Sequence, residues 1–137
     1  MHTSPFEEYD HPTLESISIS PNSELIASCS NYGGLAVMNI SDGNFLWEYK
    51  FGTFDICSEI IWSHDFSKIA VSYGNTGDYA SSVVILSSFD GGMQDVLRVG
   101  TYIGSCYDWS GCPSVGGFDW SLDGQNIITT ISEASMG

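Results

Sequence analysis

Three stretches of this chain superpose on one another without a gap. They are Ile17-Ser18-Ile19-Ser20-Pro21-Asn22-Ser23-Glu24-Leu25-Ile26-Ala27, then Ile60-Ile61-Trp62-Ser63-His64-Asp65-Phe66-Ser67-Lys68-Ile69-Ala70, then Phe118-Asp119-Trp120-Ser121-Leu122-Asp123-Gly124-Gln125-Asn126-Ile127-Ile128. Each reads apolar, any residue, apolar, Ser, followed by a polar turn and a second apolar run. Strict alternation is the period of a strand, so the unit is a β-hairpin. It predicts one buried face carrying Ile17 and Ile19, Ile60 and Trp62, and Phe118 and Trp120. Asp, Asn, Gly and Ser in the turn tolerate the backbone angles that a tight reversal needs.

The copies start 43 and then 58 residues apart. The first spacing lies in the ~40–45-residue period of a four-stranded propeller blade, so two more strands should follow each hairpin. Residues 35–40 and 45–51 fill that place in the first unit, and residues 82–86 and 93–99 in the second. In both, a glycine follows a fixed point of the third strand by five residues, Met38 to Gly43 and Leu86 to Gly91, and both units close on Gly-Thr at Gly52-Thr53 and Gly100-Thr101. This order resembles a WD-repeat. Ser20-Pro21-Asn22-Ser23 and Ser121-Leu122-Asp123-Gly124 stand at that family's Ser-Pro-Asp-Gly turn, and Tyr32-Gly33 at its Asp-Gly. The resemblance covers residues 11–132 and departs at the signature dipeptides. Thr53 and Thr101 replace the histidine, while Met38-Asn39 and Leu86-Ser87 replace Trp-Asp, so the family's internal Asp-His-Ser-Trp network cannot form. Trp62-Ser63 and Trp120-Ser121 also look like turns of the propellers that accompany prolyl-oligopeptidase-type hydrolases.

The expected fold is therefore all-β, a partial WD-repeat-like β-propeller of four-stranded antiparallel blades. Its units are a blade at 11–53, a blade at 54–101 with an inserted loop at 73–82, and a half blade within 102–137 that follows an inserted loop at 102–114. Two and a half blades fall short of the ~4–8 that close a ring. Such an arc exposes strand edges and a bare blade face. A truncated chain is the leading explanation, with closure by self-association or by another polypeptide beside it.

Composition supports a folded chain with many short strands: 42% apolar, 13% aromatic, 15% charged and 15 glycines in 137 residues. Seventeen acidic residues face only Lys50, Lys68 and Arg98, a net charge of −14. That argues against nucleic acid and anionic membrane as partners and favours proteins with basic segments. No stretch approaches the ~18 apolar residues of a membrane helix. The start Met1-His2-Thr3-Ser4-Pro5-Phe6-Glu7-Glu8 lacks a secretory pattern, so the expected compartment is cytoplasm or nucleus, with reduced cysteines.

Chemistry-bearing residues are few. Of His2, His11 and His64, the last lies in a turn, and His11 and His64 read as capping or solvent-exposed residues; there is no Gly-x-Ser-x-Gly elbow, and the repeat turns account for Ser20, Ser63 and Ser121. No catalytic centre and no cofactor are expected. Cys29 and Cys57 fall in strands and read as small buried hydrophobes. Cys106 and Cys112 share a loop with Asp108 and could form a disulfide or half a metal site, but they lack the Cys-x2-Cys spacing of zinc, and the favoured reading is a structural one. Asp42-Gly43-Asn44 and Asp90-Gly91-Gly92 lack the spaced oxygen ligands of a calcium loop and read as turns. Asn39-Ile40-Ser41 is a glycosylation sequon at a strand end, expected to be unused.

The two insertions break the repeat. One joins the second and third strands of unit two. The other lengthens the step between units, from 11 residues (Gly52 to Ser63) to 21 (Gly100 to Ser121). In a propeller both loops leave the same face, which gathers Tyr73, Asp78, Tyr79, Tyr102, Tyr107, Asp108 and Trp109 into one expected protein-binding surface. The alternative for the same rings is that they fold back as loop cores. The function expected is a non-catalytic protein-interaction scaffold. Its rival is the substrate-gating propeller of a prolyl-oligopeptidase-type hydrolase whose catalytic domain lies outside this chain.

Overall fold

Alternating apolar residues between Ser-x-Asp or Ser-x-Asn turns produce strands throughout. The computed structural model describes residues 14–30, 34–51, 55–75, 82–98 and 114–132, with ten strands and no helix among them. The first sheet holds β1 (Leu14–Ile19), β2 (Leu25–Ser30), β3 (Gly34–Asn39) and β4 (Phe45–Lys50) in sequential antiparallel order. The second repeats it with β5 (Asp55–Trp62), β6 (Lys68–Asn75), β7 (Ser82–Ser87) and β8 (Met93–Arg98). A two-stranded sheet follows, of β9 (Ser114–Trp120) and β10 (Ile127–Ser132). The first strands of successive sheets are neighbours, β1 beside β5 and β5 beside β9. This is the arrangement of propeller blades.

The repeat turn has one hydrogen-bond design, used three times. Ser20, Ser63 and Ser121 each donate their hydroxyl to Asn22, Asp65 or Asp123, at 2.6, 2.8 and 2.6 Å. The same hydroxyls accept the backbone N–H five residues on, from Leu25, Lys68 and Asn126, each at 3.0 Å. The residue three after the serine closes the turn with its N–H on the serine carbonyl and has positive φ: Ser23 at 60°, Phe66 at 52° and Gly124 at 69°. A second turn also recurs. Gly43 and Gly91 have φ of 70° and 75°, while Asp42 and Asp90 accept the backbone N–H of Asn44 and Gly92 at 2.8 Å. Turn chemistry thus uses these aspartates, as expected.

Between the first two sheets lies one apolar layer, with Ala27, Leu35, Val37 and Trp47 from one side and Ile60, Trp62, Ile69, Val71, Val84 and Leu86 from the other. A smaller layer of Ala70, Val83, Phe118 and Trp120 joins the second sheet to β9–β10. Indoles stitch the layers together. Trp62 Nε1 donates to the Ser18 carbonyl at 3.4 Å, and Trp120 Nε1 donates to the Ile61 carbonyl at 3.1 Å. Ser18 and Ile61 hold the same place in the repeat, so the indole bond is a blade-to-blade rule. In the outer part of the first sheet, Trp47 Nε1 reaches the Ser88 carbonyl at 2.9 Å. Its ring lies against Gly91, where an added Cβ would overlap the indole.

Two expectations need correction. Ile17 and Ile19 are not buried. They are 64% and 56% exposed, whereas Trp62, at the place of Ile19, is 5% exposed. That face of a first strand is covered only by a preceding sheet, and no described strand precedes β1. Cys29 and Cys57 are buried, as small hydrophobes would be, but they are joined as a disulfide rather than kept as thiols. β2 and β5 meet across the layer between sheets, with a Cα–Cα separation of 6.2 Å, inside the ~4.4–6.8 Å range that a disulfide spans. The bond clamps the first sheet to the second. It also runs against the expectation of reduced cysteines, since such bonds persist where the surroundings oxidise. Cys106 and Cys112 lie outside the described residues.

Candidate interaction surface

Antiparallel order sorts the connections to two ends of the sheets. At one end lie the repeat turns: residues 20–24, 40–44, 63–67, 88–92 and 121–126. From the other end leave the links between β2 and β3, β4 and β5, β6 and β7, and β8 and β9. The two longer links therefore depart from one end, because Ser82 pairs with both Tyr73 and Arg98.

Of the seven residues expected to form the contact surface, Tyr73 is described and the other six lie outside the described residues. Tyr73 is half-buried near the end of β6. Its ring stacks on Phe51, centroids 4.9 Å apart and planes 26° apart. Phe51 in turn meets Tyr49 edge-on at 5.2 Å, and the Tyr49 hydroxyl points to Met93 Sδ at 3.8 Å. This aromatic run crosses from the first sheet to the second and packs against the core beside the disulfide. Burial raises the Tyr49 hydroxyl above the usual tyrosine range, and the nearby Tyr73 raises it further. Tyr73 thus acts as a packing residue at the root of the longer link. Nothing in its sequence position showed that its neighbour would be Phe51, just past the end of β4.

The turn end has different chemistry. Asp65 takes the Ser67 hydroxyl at 2.7 Å, the Ser63 hydroxyl at 2.8 Å and the Ser67 backbone N–H at 3.1 Å. These donors, led by Ser67, hold its carboxyl down at about 2. Asp123 is lowered as well, first by the Ser121 hydroxyl and then by the Gln125 N–H. Lys68 extends toward the next turn, its Nζ 3.5 Å from the Gly124 carbonyl and 5.9 Å from the centre of the Trp120 ring. Phe66 and Phe89 stand exposed on this end. No grouping of three or more metal-ligating side chains occurs among the described residues. No helix there is long and apolar enough to cross a membrane.

No family model and no curated protein matches the chain. Solved structures do match. The C-terminal WD40 domain of Sif2 superposes with a TM-score of 0.62 at 15% identity, over 88% of this chain and 31% of that one. Hsv2 from Kluyvelomyces marxianus gives a TM-score of 0.56 at 19% identity, over 66% and 30%. The dihydro-heme d1 dehydrogenase NirN, solved in complex with DHE, gives 0.61 at 15% identity, over 86% and 23%. The chain is similar in fold to WD40 β-propellers and spans less than a third of each of these chains. One of the three is a named dehydrogenase, so the shared fold decides neither for nor against catalysis.

Proposed function

We propose that this chain is a protein-binding part of a β-propeller, with its contact surface at the sheet end from which the two longer links leave. The carrying observation is topological. β6, β7, β8 and β9 bring both links to one end, and those links hold Asp78, Tyr79, Tyr102, Tyr107, Asp108 and Trp109. The first sheet completes the same strand order with a shorter step between β2 and β3. The extra length therefore serves no blade requirement. Aromatic rings beside carboxylates suit a partner segment bearing Lys or Arg, through ring contact and charge together. Tyr73 anchors the root of this surface through Phe51. Exposed Ile17 and Ile19 add an apolar sheet face that a further propeller blade would cover.

The test is a pull-down from extract with Trp109→Ala, Tyr79→Ala, Asn22→Ala and Ser67→Ala chains. Loss of the captured partner with the first two and retention with the last two is expected. The opposite pattern would place the contact on the turn end and overturn the choice of face.

A further inference from the structure

The two complete sheets use the same turns but not the same residues at their tips. Where the first sheet has Ser23 and Ser41, the second has Phe66 and Phe89. Neither ring belongs to a buried core cluster. Phe66 is 41% exposed and Phe89 is 75% exposed. Phe66 also occupies the turn position with positive φ, at 52°, where Ser23 and Gly124 stand in the other copies. A bulky residue in the left-handed region is an outlier that folding alone disfavours, and such outliers concentrate where function holds them.

The fold brings these tips together. Ser88 donates its hydroxyl to the Phe66 carbonyl at 2.6 Å and its N–H to the Ser67 carbonyl at 3.0 Å, so the two turns of the second sheet form one unit. Lys68 links that unit to the neighbouring turn, where Leu122 is 87% exposed. Three apolar side chains thus project from adjoining turns, with Asp65, Asp90 and Asp123 exposed beside them. The one lysine or arginine of these turns, Lys68, is directed at the Trp120 ring and the Gly124 carbonyl. These linked turns thus expose apolar residues beside net negative charge.

We infer that the turn end of the second sheet is a separate docking surface for a peptide segment that combines an apolar or aromatic residue with Lys or Arg. Phe66, Phe89 and Leu122 receive the apolar residue, and the aspartates receive the cation. The charge balance selects this occupant over a second copy of the chain, which carries −14 and would set carboxylates against carboxylates. The surface lies opposite the end carrying the longer links, so it stands or falls independently of the function proposed above.

The experiment selects a displayed library of random dodecamer peptides on the immobilised full chain and measures the enriched peptides by fluorescence anisotropy. They should carry Lys or Arg together with an aromatic or Leu. Their affinity should fall at least about tenfold in a Phe66→Ser, Phe89→Ser chain, the scale of losing a contact hot spot. Trp109→Ala should leave their affinity unchanged. Because Ser already fills both places in the first sheet, the double variant should keep the wild-type unfolding midpoint. Phe66→Gly alone should weaken binding while raising that midpoint. Enriched peptides without a cation, or equal affinity for the double variant, would overturn the inference. So would sedimentation showing a wild-type dimer that becomes monomeric in the double variant, since a second copy would then be the occupant.

Discussion

The first and second sheets are built to one pattern and meet different surroundings. Strand order, register breaks and both turn types repeat between β1–β4 and β5–β8. Yet Ile19 stands exposed where Trp62 is buried, and Ser23 and Ser41 stand where Phe66 and Phe89 project. The shared part follows from local hydrogen bonding and alternation, which need no neighbour. The differing part is decided by what lies across the face or beyond the turn. A position in this repeat therefore has a fixed geometry but no fixed energetic weight.

The largest expected effect tests that statement directly. Trp62→Ala removes a buried indole and its bond to the Ser18 carbonyl, and should cost about 3–5 kcal/mol in urea unfolding. Ile19→Ala, at the same place in the first sheet, should cost less than about 1 kcal/mol. Equal losses would mean that the first sheet also packs on a partner through that face. Next comes the clamp between the sheets. Cys29→Ser with Cys57→Ser opens a loop of 28 residues in separation, and chain entropy places the loss at about 3.6 kcal/mol. Reductant should lower the wild-type chain to the stability of the double variant and leave that variant unmoved. A chain whose unfolding ignores both changes would show that the apolar layer alone holds the sheets.

The smallest effect separates the turns by pH. The folded pKa of Asp65 lies at about 2, below the ~3.9 of a free aspartate. A depressed carboxyl stabilises the fold above the unfolded value, and that contribution disappears as pH falls from about 4 through about 2. The Ser67 amide, held by Asp65, should therefore lose protection against hydrogen exchange across this window, beyond the intrinsic change. Gln125, on Asp123, should follow, since that carboxyl is lowered too. Glu24, whose amide meets the non-titrating Asn22, should not. Equal loss at all three amides would point to global acid unfolding in place of local turn chemistry.

How far these features could be read ahead depends on their range. Strands were legible because alternation writes a period of two into the chain, and the turn was legible because Ser and Asp or Asn two residues apart complete their hydrogen bonds within five residues. The burial of Trp62 and Trp120 followed from their shared place in the repeat. The exposure of Ile17 and Ile19 did not, because the motif records which way a side chain points and not whether anything stands there. Cys29 and Cys57 gave no spacing signal, since their separation of 28 residues runs from β2 of one sheet to β5 of the next and matches no motif. Of the expected contact surface, the departure of both links from one end was legible from strand order. Tyr73's engagement with Phe51 was not.

By itself, then, the sequence determined strand number, antiparallel order, turn geometry and blade repetition, all of which arise from interactions between residues close along the chain. Only the tertiary structure decided which repeat positions are buried, which two cysteines bond, where the indole donors find carbonyls, and that Phe66, Phe89 and Leu122 gather on one end. Those outcomes depend on how one sheet lies against the next, and residues 40 to 60 apart meet there through packing that no local pattern encodes.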